Sequence, residues 1–346
     1  MNKPTPSINM KEKLLSVFKY LFFLILGAGI LYLVLKGKDL NKMLEDLRGA
    51  EYKYLVASMA FGYAAYLFRA LRWLLLLKTM NYNTSVSHAT HAVAAGYFAN
   101  VIFPRAGEIV RCTSLYKVTG IPVNKLFGTV LLERAIDLVM LVACIAVGFV
   151  LKYNELNSFV GSVGGEAGSA GLSNTKLLLG LCLFVILGGL YFFRDQLKQS
   201  RLYQKVVSLG RGVKEGFQTA YFMKQKGLFV LYTLLIWLMY LLMTYICFFS
   251  IPETSGLRFI DGLYIMVIGG LGMVVPVQGG LGPYHAAVTM GIVSLGLSET
   301  TGITLAVLIH TAQSIMILIT GIIAAIVLSF AKRKAVHNEP SEASTN

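Results

Sequence analysis

The sequence predicts an all-α, polytopic integral membrane protein with about six full spans and two opposed re-entrant helical hairpins. Of its 346 residues 56% are hydrophobic and 14% are charged, against about 25% charged in ordinary soluble domains. Several apolar runs reach the ~20 residues that a helix needs to cross a bilayer. Two further apolar regions, 87–118 and 259–297, are broken midway by proline and glycine. Helices are the expected state for these runs, because hydrocarbon offers no water to a free backbone amide.

Residues 1–13 are polar and basic and read as a cytoplasmic segment. Leu14–Leu35 lacks a small-residue cleavage pattern, so it is expected to stay as a span. In Lys36–Lys53, Leu40, Met43, Leu44 and Leu47 recur at i, i+3, i+4 and i+7, the pattern of an interfacial amphipathic helix. Full spans follow at Tyr54–Leu77, Leu126–Leu151, Lys176–Phe193, Leu228–Phe249 and Ile303–Phe330. Between them, 196–225 carries Leu197, Leu202, Val206, Leu209, Val213 and Phe217 among basic residues, as a surface helix on anionic headgroups would. Residues 14–330 thus form one membrane domain, and 331–346 a polar tail.

Charge sets the orientation. Arg194–Lys226 holds eight Lys/Arg, whereas Asn154–Asn174 has none, which puts the first inside and the second outside. Leu126–Leu151 then runs outward, with Lys78, Lys117 and Lys125 inside, and 87–118 enters and leaves from the cytoplasm. Ile251–Leu257 falls outside and Lys332-Arg333-Lys334 inside, so 259–297 enters and leaves from the outer face. Both termini are cytoplasmic in this scheme, which fits a bacterial inner membrane. The five Lys/Arg of 36–53 run against it, and a single kinked span is the alternative for each broken region.

The formal charge of +14 flanks hydrophobic segments, which points to anionic lipid and away from nucleic acid. Cys112, Cys144, Cys182 and Cys247 are dispersed, without metal or disulfide spacing. His88 and His91 lack the carboxylate partners of a metal site and are expected to bond between helices. No phosphate loop, zinc signature or Ser/His/Asp constellation is present, so neither a cofactor nor enzyme activity is expected.

The first break reads Phe103-Pro104-Arg105-Ala106-Gly107-Glu108-Ile109-Val110-Arg111. Arg69 and Arg72 lie on the second span; Glu133, Arg134 and Asp137 lie on the span after the break. Glu133 and Asp137 share a helix face and repel unless cations intervene. Five arginines (69, 72, 105, 111, 134) oppose three acids (108, 133, 137), an excess of two positive charges. With amides freed after Pro104 and Gly107, that excess suits a phosphate docking from the inner leaflet. The alternative is an internal ion-pair cluster, with Arg69, Arg72 and Arg134 snorkelling to the interface.

The second break runs from Gly269 to His285 through Pro276, Gln278, Gly279, Gly280, Gly282, Pro283 and Tyr284. Interior proline costs a helix about 3 kcal/mol, so a turn is expected there. Pro276, Gln278, Gly279, Gly280, Gly282, Tyr284 and His285 are its candidate gate; Gly269, Gly270 and Gly272 suit close helix packing. His310 and Gln313 of the last span are placed to face His285 and line a cavity.

Three ordered blocks carry a family resemblance: Pro104-Arg105-Ala106-Gly107-Glu108-x-x-Arg111, Leu131-Leu132-Glu133-Arg134-x-x-Asp137, and Pro276-x-x-Gly279-Gly280-Leu281-Gly282. Over about 14–330 the chain resembles the membrane region of lysylphosphatidylglycerol synthases and their stand-alone flippase-like relatives. The resemblance implies movement of a lipid headgroup between leaflets; the arginine excess makes that headgroup phosphate-bearing, and the missing phosphate loop predicts no ATP hydrolysis by the chain. It places headgroup binding on Arg105, Glu108, Arg111, Glu133, Arg134 and Asp137, with Arg69 and Arg72 added from the charge pattern. The synthases' soluble aminoacyl-transferring module has no counterpart after Phe330, so synthase activity is not implied. Many relatives carry an acid shortly after the glycine turn, where this chain has His285. The expected partners are an anionic or zwitterionic membrane lipid, and a second copy or a lipid-modifying enzyme. A membrane enzyme acting on a lipid phosphate and a non-transporting lipid-presenting scaffold are the competing classes.

Overall fold

The computed structural model describes residues 10–103, 106–153, 155, 223–275 and 277–331, and every regular element among them is helical. The helices are α1 (Met10–Leu35), α2 (Leu40–Gly49), α3 (Tyr52–Thr79), α4 (Val86–Ile102), α5 (Gly107–Thr119) and α6 (Val123–Leu151), then α7 (Lys226–Ile246), α8 (Phe259–Gly272), α9 (Pro283–Ser294) and α10 (Glu299–Phe330). The expected span Lys176–Phe193, nearly all of 196–225, the tail from 332, Arg105 and Pro276 lie outside the described residues.

Three of the helical stretches, Tyr52–Thr79, Lys226–Ser250 and Glu299–Phe330, are long and apolar enough to cross a membrane. The second continues past α7 as a 3-10 turn, Cys247–Ser250. Large aliphatic side chains face outward along the bundle, among them Ile25, Val139, Leu234 and Ile322. Such a surface is costly in water and suits lipid.

Local chemistry sets the helix ends. Asp39, Ser85 and Ser298 accept hydrogen bonds from the backbone N–H of Lys42, His88 and Thr301, capping α2, α4 and α10. α2 is the expected amphipathic helix: Leu47 packs inward and Leu40 and Leu44 stay exposed. Lysines of its loop are paired, Lys38 with Glu299 and Lys42 with Asp46 and Glu253.

Each broken region forms an antiparallel helical hairpin. α4 and α5 close where a Cβ on Gly96 would lie 2.8 Å from the Gly107 carbonyl oxygen, and one on Gly107 2.5 Å from that of Gly96. No larger residue permits that approach. α8 and α9 close likewise, with Gly269 and Gly272 receiving Tyr284 and Pro283, and Gly291 receiving Ile265. Gly270 departs from the expected packing role: nothing lies within 4 Å of its missing Cβ, because it borders a cavity.

Two apolar clusters anchor the hairpins. One gathers Trp73, Val93, Leu115 and Val130 around α4–α5, the other Tyr264, Ile268, Val288 and Ile292 around α8–α9. α10 serves both, with Leu305 and Ile309 in the second cluster and Ile317 and Ala324 in the first. The turn at 278–280 packs against α1 and α4, so the tip of one hairpin touches an arm of the other.

The chain leaving that turn presses on α1. Gly282 has φ +90°, and a Cβ there would meet the Gly27 carbonyl oxygen of α1 at 2.5 Å. Gly282→Ala is therefore expected to destabilise the protein by about 1–3 kcal/mol through strain alone. Gly270→Ala, in open space, is expected to stay within about 0.5 kcal/mol. Thermal unfolding of both variants in detergent measures the difference.

Candidate functional site

Glu133 and Asp137 point from α6 toward α3, where Arg69 and Arg72 lie on one face. Asp137 is held on both oxygens, by Arg69 Nη1 at 2.8 Å and Arg72 Nη2 at 2.9 Å. Arg72 also reaches Glu133 with Nε at 3.4 Å, and Arg111 of α5 approaches that carboxylate from the other side at 2.7 Å. Glu133 and Arg72 are wholly buried, Arg69 is 3% exposed and Arg111 4%. Three buried arginines thus face two acids.

The rim is looser. Arg134 stands 3.8 Å from both Glu108 and Asp137, and its side chain is 42% exposed. Of the expected headgroup residues, the structure brings together Arg69, Arg72, Glu108, Arg111, Glu133, Arg134 and Asp137; Arg105 is not described. Arg69 and Arg72 are interior ion pairs and do not snorkel.

Aromatic rings complete the cluster, and the charge pattern alone missed them. The Arg111 guanidinium lies 3.9 Å from the Trp73 ring centroid, and Trp73 Nε1 donates to Thr129 Oγ1 at 2.8 Å. Arg69 Nη2 donates to the Tyr240 hydroxyl, which is 3.0 Å from that of Tyr97, and Tyr97 stacks on Tyr66 at 4.4 Å. Their signal in the sequence is spacing: Tyr66 and Trp73 sit three before and four after Arg69 on α3.

Some buried donors remain unused. Arg111 Nε, Nη1 and Nη2 and Arg69 Nε have no hydrogen-bond partner among the described residues. The 2.7 Å approach of Arg111 Nη1 to Glu133 is an ion pair whose N–H points off the oxygen, so charge is balanced there while direction is not.

Two spaces adjoin these donors. A pocket of about 40 Å³ is lined by Gly96, Asn100, Gly107, Glu108, Arg111 and Arg134, and a cavity of about 490 Å³ by Arg69, Arg134, Asp137, Trp237, Tyr284 and Gln313 among others. Tyr97 and Arg134 border both. The pocket lies at the start of α5, whose N-cap residue Ala106 provides no side-chain cap, so first-turn amides and the helix dipole favour an anion there. One expected free amide is taken: Gly107 N–H donates to Asn100 Oδ1 at 2.7 Å, a bond between the hairpin's arms.

The second hairpin forms the far wall. Tyr284, Gly270 and Met273 line the cavity, while Gln278 and Gly280 are buried in the turn and Gly279, Gly280 and Gly282 supply its positive φ angles. His310 Nε2 donates to the Gly279 carbonyl at 2.8 Å, and its ring lies 4.7 Å from that of His285. His285 is 3% exposed, and its Nδ1 is 3.4 Å from the Gly282 amide; it braces the turn from behind the wall that Tyr284 forms. Gln313 lines the cavity as expected. His91 departs from its expected interhelical bond, since its Nδ1 lies 2.7 Å from the Ser87 carbonyl one turn back on α4.

The ion pairs predict a graded response to mutation. Glu133→Gln leaves Arg72 and Arg111 without their shared acid and is expected to cost about 3–5 kcal/mol. Arg134→Gln, at the hydrated rim, is expected to cost less than about 1 kcal/mol. Thermal unfolding in detergent separates the two.

The chain is similar to the "UPF0104 membrane protein MJ1595" of Methanocaldococcus jannaschii, 26% identical over 130 residues that make up 37% of this chain and 36% of that relative. The match thus spans about a third of the relative's length. No solved structure matches significantly. The family described as "Lysylphosphatidylglycerol synthase TM region" matches residues 18–321, which include both hairpins and the arginine–carboxylate cluster. The chain belongs to that family of membrane proteins.

Proposed function

We propose that the protein is a lipid translocase, moving a phosphate-bearing headgroup between leaflets without hydrolysing ATP itself. The observation that carries this is the buried arginine excess beside a cavity of about 490 Å³ whose opposite wall is the second hairpin. An excess buried cation is stabilised by an anionic guest, and arginine's planar donors match phosphate oxygens. Arg111 and Arg134, with Arg105, bind the phosphate; Glu108, Glu133 and Asp137 orient the arginines; the turn at Gln278–Gly282 with Pro276, Tyr284 and His285 acts as the gate.

The topology that serves this has six spans and two hairpins entering from opposite faces, with both termini cytoplasmic in a bacterial inner membrane. Broken helices that meet near the midplane are the usual site of alternating access. With native cysteines replaced, single cysteines at Glu45 and Gly165 are expected to react with an impermeant reagent from outside, and one at Gly210 from inside only. Labelling of Gly165 from inside would overturn the opposed arrangement.

Transport is tested in proteoliposomes carrying a quenchable fluorescent anionic phospholipid. The wild-type chain is expected to expose the inner-leaflet lipid to quencher faster than empty liposomes. Arg134→Gln, which keeps the buried pairs, is expected to slow it at least about tenfold, the loss of one charged hydrogen bond. Arg111→Ala combined with Arg105→Ala is expected to match empty liposomes. No movement of any anionic lipid by the wild-type protein refutes the proposal.

A further inference from the structure

Resting on that reading of the site, we propose that the headgroup is a phosphodiester whose remaining substituent is uncharged and hydroxyl-bearing, and that headgroups ending in an ammonium are disfavoured. A buried ammonium needs a carboxylate with a free oxygen or an open aromatic cage, because its desolvation costs several kcal/mol otherwise. Among the described residues the cavity wall offers no carboxylate with a free oxygen, and its aromatic rings are engaged with one another or with other side chains. Asp137 is the carboxylate on its wall among the described residues, and both its oxygens are held by Arg69 and Arg72, with Arg134 3.8 Å away. Glu133 is wholly buried between Arg72 and Arg111 away from the cavity wall, and Glu108 lines the smaller pocket opposite Arg134.

The aromatic wall does not replace the missing acid. Of the five rings on the wall, Tyr66 and Tyr97 stack on each other at an interplanar angle of 12°, Trp237 meets Tyr240 edge to face, and Tyr284 lies against the His310 ring 5.4 Å away, so each is engaged with a neighbour. Arg69 and Arg134 add two guanidinium groups to the same wall, so an incoming cation meets like charge.

What the walls do offer is donors. Trp237 Nε1 and Arg69 Nε are buried beside the cavity without a hydrogen-bond partner among the described residues, and the Gln313 amide adds a donor and an acceptor. Hydroxyl oxygens accept such bonds, whereas an ammonium has no lone pair to accept with. The space divides the ligand in the same way. At about 40 Å³ the Arg111 pocket holds a few water-sized groups, enough for phosphate oxygens, and the polyol is left to the cavity beyond Tyr97 and Arg134.

The test is calorimetric titration of the purified full chain in detergent with dioctanoyl phosphatidylglycerol, dioctanoyl phosphatidylethanolamine, dioctanoyl phosphatidylcholine and sn-glycerol 3-phosphate. The glycerol lipid is expected to bind at least about tenfold more tightly than either amine lipid, an energy gap of about 1.4 kcal/mol. Gln313→Glu adds a free carboxylate to the wall and is expected to shift the preference at least tenfold toward the amine lipids. Equal or tighter binding of phosphatidylethanolamine by the wild type, or an unchanged preference in a folded Gln313→Glu variant, overturns the proposal. sn-Glycerol 3-phosphate, a monoester without the second ester link, is expected to bind at least about tenfold more weakly than the glycerol lipid, and equal binding overturns the phosphodiester assignment. Selective binding without flipping in proteoliposomes refutes translocation and leaves the selectivity standing; flipping without headgroup preference does the reverse.

Discussion

Arg72 is the constraint on which the rest depends: a wholly buried guanidinium that pairs at once with Glu133 and Asp137 and donates to Thr233 of α7 at 3.3 Å. Stripping water from such a charge costs several kcal/mol unless its partners arrive together. α3, α6 and α7 are therefore held in one register, and Arg111 extends the same network to α5 through Glu133. A slip of one turn between α3 and α6 would bury unpaired charges on both sides. The cluster that makes the site cationic is also what locks the first hairpin to its neighbours.

α10 carries the complementary, apolar half of that task. Its first half packs with α9 and its second half with α3 and α4, so one long helix fixes the distance between the two hairpins. The cavity is what remains between them. Its volume thus follows from backbone spacing, and its chemistry from side chains on opposing helices.

Much of this was legible in the sequence. Apolar runs located α1, α3, α6, α7 and α10; proline and glycine located both turns; the four-residue spacing of Glu133 and Asp137 demanded arginines between them. The partners were less legible, because pairing is not local. Arg72 and Glu133 are 61 positions apart, and hydropathy marks a residue as buried without saying against what. The same blindness hid Asn100, which takes the Gly107 amide, and the tyrosines around Arg69, whose rings read as ordinary apolar content. Gly270 and Gly269 are neighbours in the sequence, yet one faces a cavity and the other a tyrosine ring. Helix rotation decides that, and a glycine run has no side chains to reveal it.

The contact between Gly282 and Gly27 has a mechanical consequence. Among the described residues, the main contacts of α1 run to α9 and to the turn at 278–280. α1 is thus coupled to the tip of the second hairpin at a point with no slack, while Ile25, Tyr32 and Leu33 on it are exposed. Any displacement of the turn is transmitted to a rod 26 residues long that ends beside the bundle. α1 is in effect the outrigger of the second hairpin, joined to it where neither backbone can shift without moving the other.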